Sequence, residues 1–370
     1  MLKTDLCEIA GIEHPIIQAG MGPFCTNNLA IASANAGVLG IVSTSGFGTL
    51  ATDPATRTKG TQELCKSLSD GKGGTWQEEM VRAFRRVKEQ TREQQGIFGA
   101  NVMVAAEQAG YCRSVIEVIA KMVENDSEMK ERMRVIITSA GDPLPVSELI
   151  KPTGLKWFHL VPSVRHAKRA EKAGVDAIIA SGQEGGGHVA WEPVHTSVLL
   201  PAVVRAVDIP VIGAGGFGSG SGLASGLALG AIGVQMGTRF LATQESDFNE
   251  VHKEYVVKSS ERDTIIARGV VGPLRWIRNE AAMDFTRLTV EKAPGVFLGE
   301  PSHLDDVAKE VTDKEDEGWE AQYAGDGPKA LMPGGEVSGM IDGIPLVADL
   351  VNELVKEAEE VVRGMSRFVD

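Results

Sequence analysis

One local unit recurs along this sequence: a helix with a small-residue face ends at a glycine, and a continuous apolar strand follows at once. Residues 165–174 (RHAKRAEKAG) lead into the strand 175–180 (VDAIIA), and residues 222–230 (GLASGLALG) lead into 231–236 (AIGVQM). Small residues let a helix lie close to a sheet, and unbroken apolar strands are typical of parallel sheets buried on both faces. The unit therefore predicts an α/β protein built on a parallel sheet.

Eight strands of this kind can be counted, with helical patterns between them. They lie within residues 15–22, 38–43, 98–104, 134–138, 157–162, 176–180, 210–214 and 231–236. Eight strands alternating with helices is the count of a (β/α)8 TIM barrel, which is the fold we predict. An open, doubly wound sheet uses the same local units and stays as the alternative.

Two segments interrupt the repeat. The first, at about 45–95, is too long for one strand-to-strand connection. The second, 247–333, lacks the strand–glycine pattern and contains a very polar stretch, 302–327, that is predicted to be mobile. An amphipathic helix, predicted over 344–363, then closes the outer ring of helices. The predicted organisation is a barrel over residues 1–246 with an insertion at about 45–95, an inserted lid or substrate domain over 247–333, and a return to the barrel over 334–370.

Charge and cysteine usage narrow the class of protein. The 370-residue chain has a net charge of −13, which argues against general binding to nucleic acid or to anionic membranes. It has no apolar run long enough to span a bilayer, and its start lacks the apolar core of a secretory signal. Its four cysteines show no CxxC or metal-type spacing. We expect a cytoplasmic protein with a small-molecule substrate and no metal site; a homodimer is one compatible assembly.

Two successive glycine loops predict a phosphate pocket. Residues 213–216 (GAGG) follow the seventh strand, and Gly237 and Thr238 follow the eighth. In TIM barrels these two loops bind phosphate, because free backbone N–H groups converge there and glycine lets the backbone approach the oxyanion. A dinucleotide-fold interpretation of 213–216 is weaker, since no acidic residue closes the next strand about 20 residues later.

A third glycine-rich turn brings a histidine to the same end of the sheet. The strand 176–180 runs into residues 181–188 (SGQEGGGH), so a ligand lying against the glycines has His188 beside it. Histidine has an ordinary pKa near 6.5 and can exchange a proton at neutral pH. A lone histidine is more often structural, and that alternative applies to the other six.

These motifs together resemble the nitronate monooxygenase family, formerly called 2-nitropropane dioxygenases. That family is related to the flavin-containing enoyl-acyl-carrier-protein reductase. The resemblance rests on residues 15–22 (PIIQAGMG), 98–103 (FGANVM), 182–188 (GQEGGGH), 210–216 (PVIGAGG) and 233–240 (GVQMGTRF). The segments span the barrel portion in the expected order. At Gly185 this chain departs conservatively from the family, which often has alanine.

The resemblance implies an FMN-dependent enzyme and assigns roles to residues of this chain. His188 occupies the position of the family's catalytic histidine. Contacts with the flavin ring or its phosphate are implied for Ala19, Gly20, Met21, Asn101, Gln183, Gly186, Gly215, Gly216, Gln235, Met236, Gly237 and Thr238.

Three functions are open on the sequence. The first is a nitronate monooxygenase that oxidises alkyl nitronates or nitroalkanes with O₂ to a carbonyl compound and nitrite. The second is a reductase in which NADH or NADPH reduces the flavin, which then reduces an acyl thioester; the long insertions favour this larger substrate. The third is a non-catalytic flavin-binding barrel. Within the insertion, Arg275 and Arg278 could bind a substrate phosphate, although a surface salt bridge is the favoured interpretation for each.

Overall fold

The fold is described by a computed structural model that covers residues 2–368. The strands are, in chain order, β1 (Ile16–Gln18), β2 (Gly40–Ser43), β3 (Phe98–Met103), β4 (Met133–Ser139), β5 (Lys156–Val161), β6 (Ala177–Ser181), β7 (Gly187–His188), β8 (Val211–Ala214), β9 (Val234–Met236), β10 (Thr264–Arg268) and β11 (Pro273–Ile277). The α-helices are α1 (Asp5–Ala10), α2 (Asn27–Asn35), α3 (Lys59–Leu68), α4 (Trp76–Gln90), α5 (Ala109–Asn125), α6 (Ser127–Arg132), α7 (Ser147–Ile150), α8 (Val164–Ala173), α9 (Thr196–Val204), α10 (Gly220–Ala228), α11 (Thr238–Leu241), α12 (Glu250–Lys258), α13 (Glu280–Lys292), α14 (Gly295–Leu298), α15 (Lys309–Tyr323) and α16 (Val347–Gly364). None of these helices is long and apolar enough to cross a bilayer within the described residues.

Eight parallel strands form one sheet in the order β1-β9-β8-β6-β5-β4-β3-β2. The two ends of this sheet meet, because Ile17 bridges Leu39. Gln18 strengthens the seam, since its side-chain oxygen accepts a hydrogen bond from the Ile41 N–H at 2.8 Å. The sheet is therefore a ring, the open doubly wound alternative is excluded, and the predicted (β/α)8 TIM barrel is confirmed.

Both faces of the barrel strands are buried, as their continuous apolar runs predict. Ile17 and Phe158 pack inside the barrel, while their neighbours Ile16 and Trp157 pack against the surrounding helices. Leu6 of α1 joins the inner cluster, so side chains fill the amino-terminal end of the barrel. A ligand can enter only from the opposite end, where the carboxyl ends of the strands meet the loops.

The predicted C-terminal helix is present as α16, and it packs against α10 and α2 in the outer ring. The close approach to α10 depends on Gly220, because a Cβ atom there would lie 2.4 Å from the carbonyl oxygen of Leu354. The small-residue face of α10 therefore serves helix–helix packing as well as packing on the sheet.

The segment 247–333 builds a second layer beside the mouth of the barrel. Strands β10 and β11 are antiparallel, and β7 joins them as the third strand of a small sheet. Residues 302–327, for which the sequence indicates no regular element, are largely helical, because the 15-residue helix α15 occupies most of this stretch. The buried residues of α15 are Val311, Glu315, Gly318 and Gln322. Only one of them is a strong hydrophobe, so the apolar periodicity that reveals a helix is missing.

The two insertions contact each other. On α3, the N–H of Thr61 donates to the Glu320 carboxylate of α15 at 3.2 Å. We retain 247–333 as the proposed inserted unit, with β7 contributed by the barrel.

Candidate active site

A cavity of about 1170 Å³ lies at the carboxyl ends of the barrel strands and extends under α15. This is the end at which TIM barrels place their active sites. The cavity is lined by most of the residues that sequence reasoning selected, namely Ala19, Gly20, Met21, Asn101, Gly186, His188, Gly215, Gly216, Gln235, Gly237 and Thr238. Side chains and loops from six different strands are thus brought to one space.

The loops after β8 and β9 form a cradle of backbone N–H groups. Gly215 and Gly216 have φ angles of +85° and +82°, a conformation that side chains rarely adopt. In the part of the chain that the structure describes, the N–H groups of Gly215, Gly216 and Gly237 donate no hydrogen bond. Three free donors beside one cavity match the oxygens of a phosphate group.

The end of β1 faces Asn101 across the cavity floor. A Cβ atom at Gly20 would lie 2.3 Å from the Asn101 Cβ, so only glycine lets the loop after β1 approach strand β3. The Asn101 amide donates to the Ile137 carbonyl and to the Ser139 hydroxyl, each at 3.3 Å. These hydrogen bonds fix the orientation of the amide at the edge of the cavity.

Two residues selected from the sequence do not line the cavity. Met236 points outward into the core between the sheet and the helices, because side chains alternate along β9. Its neighbour Gln235 points inward instead, and its buried side-chain oxygen has no hydrogen-bond donor among the described residues. Gln183 is buried behind the cavity wall, where its backbone carbonyl accepts hydrogen bonds from Arg275.

Of the three consecutive glycines, the middle one, Gly186, makes room for another segment of the protein. A Cβ atom at Gly186 would lie 2.6 Å from the backbone of Gly334 and Gly335. The Gly335 N–H in turn donates to the Thr238 hydroxyl at 3.0 Å. Gly186 therefore lets the C-terminal return of the chain pack against the phosphate loop, while its other side borders the cavity.

His188 lies at the boundary between the barrel and the small sheet. It pairs with Leu274 of β11, and the next N–H, that of Val189, donates to the Pro273 carbonyl at 3.0 Å. The imidazole is exposed to the cavity, whose walls are protein. This enclosure, and secondly the positive charge of Arg268, lower the pKa of His188 to about 4. The ring is therefore neutral at neutral pH and can accept a proton.

Arg275 forms a salt bridge, as favoured from the sequence, but a buried one and not one at the surface. It does not line the cavity, so a role for this residue in binding a substrate phosphate is wrong. Arg275 is buried, and its guanidinium donates to the Gln183 carbonyl at 2.9 Å and to the Thr264 hydroxyl at 2.8 Å. It also forms an ion pair with Glu336 at 3.1 Å. Arg275 thus ties the β6 loop, the small sheet and the C-terminal return together. Arg278 is exposed.

Removing this tie should destabilise the protein. We expect Arg275→Met to lower the free energy of unfolding by about 2 kcal/mol, because a partly buried carboxylate and a buried carbonyl lose their partner. Urea denaturation followed by circular dichroism measures the change. Arg278→Met is the matched control and should stay within about 0.5 kcal/mol of wild type. Equal stabilities of the two variants would contradict the assigned role.

Sequence reasoning missed the part of the site that comes from the insertion and the return. The cavity is also lined by Asp316, Trp319, Tyr323, Pro333, Gly334 and Gly335. Trp319 and Tyr323 lie one helical turn apart and stack with their ring centres 6.1 Å apart. Two aromatic residues at this spacing in an otherwise polar helix are the one signal that could have indicated it.

The chain is similar to several known proteins. The sequence model of the nitronate monooxygenase family matches residues 3–357. The (3aS,4S,5R,7aS)-5-hydroxy-7a-methyl-1-oxo-octahydro-1H-indene-4-carboxyl-CoA dehydrogenase of Rhodococcus jostii (strain RHA1) is 35% identical over 272 residues, which cover 73% of this chain. The match spans 64% of that relative's length, just under two thirds.

Two further similarities agree with this family match. A probable nitronate monooxygenase of Staphylococcus aureus (strain JH9) is 32% identical over 311 residues, covering 75% of this chain and 79% of that protein. The structure of FabK from Thermotoga maritima is 30% identical, with a TM-score of 0.77 and complete coverage of both chains. The resemblance seen in the glycine and histidine motifs is confirmed, and the chain belongs to the nitronate monooxygenase family.

Proposed function

We propose that this protein is an FMN-dependent oxidoreductase in which His188 accepts a proton from a carbon atom of the substrate. The observation that supports it most is a neutral imidazole exposed to the same cavity that carries the glycine cradle. A pure binding barrel has no need of an ionisable group at this position.

The residues present fit a flavin mononucleotide. The free N–H groups of Gly215, Gly216 and Gly237 would hold its phosphate, and the unpaired side-chain oxygen of Gln235 would accept a hydrogen bond from the ring system. Ala19 to Met21 and Asn101 would border the ring, with no bulky side chain at Gly20 to obstruct it. When bound, the flavin supplies the electron-accepting chemistry, and the protein supplies binding, orientation and control of the proton.

The first substrate class that suits this site is a nitroalkane or its nitronate, with O₂ as the final electron acceptor and a carbonyl compound and nitrite as products. A neutral nitroalkane must lose its α-proton, whereas a nitronate is already deprotonated. His188 can take that proton because its imidazole is uncharged at neutral pH. The low pKa keeps the His188 imidazole unprotonated at neutral pH, although it also makes the ring a weaker base than an ordinary histidine.

This assignment predicts the acid limb of the pH profile. With nitroethane, kcat/KM should remain high down to about pH 5 and fall as the pH drops through about 4, because protonation of His188 removes the base. A histidine with an ordinary pKa would lose activity near 6.5 instead. Steady-state rates between pH 3.5 and 8 measure this limb, and His188→Gln should lack it. An acid limb near 6.5 in the wild type would contradict the proposed environment of the ring.

One observation favours a second substrate class, an acyl thioester. Pockets of roughly 300–1000 Å³ hold one drug-sized ligand, and this cavity of about 1170 Å³ exceeds that range. It therefore has room for FMN and a second molecule larger than a nitroalkane. The relative from R. jostii is named as a dehydrogenase of a carboxyl-CoA compound, which agrees with such a substrate.

Anaerobic mixing experiments distinguish the functions. The purified yellow protein is mixed separately with ethylnitronate, nitroethane, an acyl-coenzyme A, NADH and NADPH, and the flavin absorbance is followed by stopped flow. Bleaching by the nitro compounds supports the monooxygenase, and bleaching by the acyl-coenzyme A supports thioester oxidation. Bleaching by NADH or NADPH alone supports the reductase. A protein that never bleaches is a flavin-binding barrel, and one without affinity for FMN contradicts the proposal as a whole.

A further inference from the structure

The positive charges of the cavity are confined to one side of its mouth. Among the described residues that line it, the only arginines or lysines are Arg165 and Arg169, and both lie on α8, which follows β5. The phosphate cradle follows β8 and β9, and β6 separates β5 from β8 in the sheet. Neighbouring strands lie about 4.8 Å apart, so the strands that carry the cradle and the arginines lie roughly 10 Å apart around the barrel. The cradle and the arginines are therefore separate parts of the mouth.

A contribution to protein stability does not explain why an arginine stands at position 165. It is exposed, and within residues 2–368 its guanidinium forms no ion pair or hydrogen bond. It also lies in the first turn of α8, where a positive charge opposes the helix dipole. A cation kept at this position is therefore available to a ligand.

Arg169 lies one turn further along the same face of α8, at the i,i+4 spacing. Its Nε and Nη2 atoms bind the Asp142 carboxylate at 2.9 and 2.5 Å, which fixes the guanidinium at the rim. Its Nη1 atom makes no hydrogen bond in the described part of the chain. Between the two arginines, His166 also lines the mouth, held by its ring nitrogen 2.8 Å from the Ser163 hydroxyl.

Asp142 also lines the cavity at this place, and its carboxylate is paired with Arg169, so the net positive charge on this side of the mouth comes from Arg165. The other acidic residues of the cavity lining lie elsewhere or are already engaged. The Glu184 carboxylate accepts hydrogen bonds from Thr196, and that of Glu315 accepts one from Trp319. Asp316 belongs to α15, on the lid side of the cavity. With a net charge of −13, the protein as a whole repels anions, so the two arginines are the place where an anionic group can approach the mouth.

We propose that Arg165, with Arg169, binds the phosphate of a long second ligand whose reacting end reaches the flavin and His188. Arginine suits this role because its planar fork of donors matches phosphate oxygens. Two compounds of this chemistry fit the proposed function: a coenzyme A thioester as substrate, or a nicotinamide dinucleotide as reductant. The inference rests on the proposed function, of which it defines the substrate or cosubstrate class.

Calorimetric titration of the flavin-loaded protein tests the site without turnover. The probes are coenzyme A, pantetheine, which lacks the phosphates of coenzyme A, and the oxidised dinucleotides NAD⁺ and NADP⁺, which cannot reduce the flavin. Arg165→Ala should weaken binding of coenzyme A or of a dinucleotide about tenfold, the usual effect of losing a charge-assisted hydrogen bond, and leave pantetheine unchanged. Lys168→Ala is the matched control, since Lys168 is an exposed cation on the same helix that does not line the cavity.

The possible results distinguish the two ligands from each other and from the absence of a phosphate site. Weakening of coenzyme A alone identifies a thioester, weakening of the dinucleotides alone identifies the reductant, and either result supports the site. No change with any probe, the same loss with pantetheine, or the same loss in Lys168→Ala overturns it. The titration measures binding and not flavin reduction. Its result can therefore be interpreted even if the protein does not catalyse the proposed oxidation.

Discussion

Replacing His188 with alanine should slow turnover of substrates that must lose an α-proton by a factor of roughly 10²–10⁴, the usual contribution of a general base. The flavin should remain bound, because the cradle of Gly215, Gly216 and Gly237 lies on other loops. A preformed nitronate should lose much less activity than nitroethane, since it has no α-proton to remove. Rates of anaerobic flavin reduction with the two compounds measure the difference.

The matched control for this variant is His303→Ala. His303 is exposed and does not line the cavity, so its removal should leave both rates at the wild-type level. Loss of flavin from His188→Ala would make the histidine a structural residue. Equal slowing with nitronate and nitroethane would show that the imidazole acts on a step other than proton removal.

Replacing Gly216 with valine should yield a folded protein that has lost its flavin. The φ angle of +82° at this position is strained for a β-branched residue, and a Cβ atom would lie 3.3 Å from the Glu184 Cβ. The valine would also push its side chain into the space where a phosphate approaches the N–H groups. We expect the affinity for FMN to fall by at least about 100-fold, as expected when two or more charge-assisted hydrogen bonds are lost. Fluorescence titration of FMN measures the change.

The control for backbone strain is Gly71→Val. Gly71 has a similar φ angle of +79°, and a Cβ atom there would meet nothing within 4 Å. The variant should therefore carry the same kind of strain and keep its flavin. If both variants lose FMN equally, or if Gly216→Val retains it, the cradle is not the phosphate site.

The fold was largely predictable because its signals are local. The small-residue helix before Gly174 and the strand that follows it are both recognisable from a short stretch of sequence. Each of the eight barrel strands is likewise recognisable from its own apolar run. Helix α15 was not predictable in this way. Its buried face contains Glu315 and Gln322, which find polar partners in distant parts of the chain, such as Val270 and His252. No apolar period marks such a helix.

The candidate site was predictable to a similar depth. Glycines at Gly215 and Gly216 reveal their role because only a few backbone conformations require them. Gln235 and Met236 are adjacent, and a shift of one residue decides which of them faces the cavity. The motif selected both, since pattern matching does not give the direction of each side chain.

The sequence alone determined the barrel, the glycine loops after β8 and β9 and the position of His188 after a strand, because strand burial and glycine conformation are properties of short segments. Only the tertiary structure decided which charged or titratable groups are buried, paired or exposed, and how their pKa values change. It buried Arg275 as a structural tie, left Arg165 exposed at the mouth, and enclosed His188 so that its pKa falls to about 4. Electrostatic pairing and desolvation depend on residues far apart in the chain, and these are set when the insertion packs over the barrel.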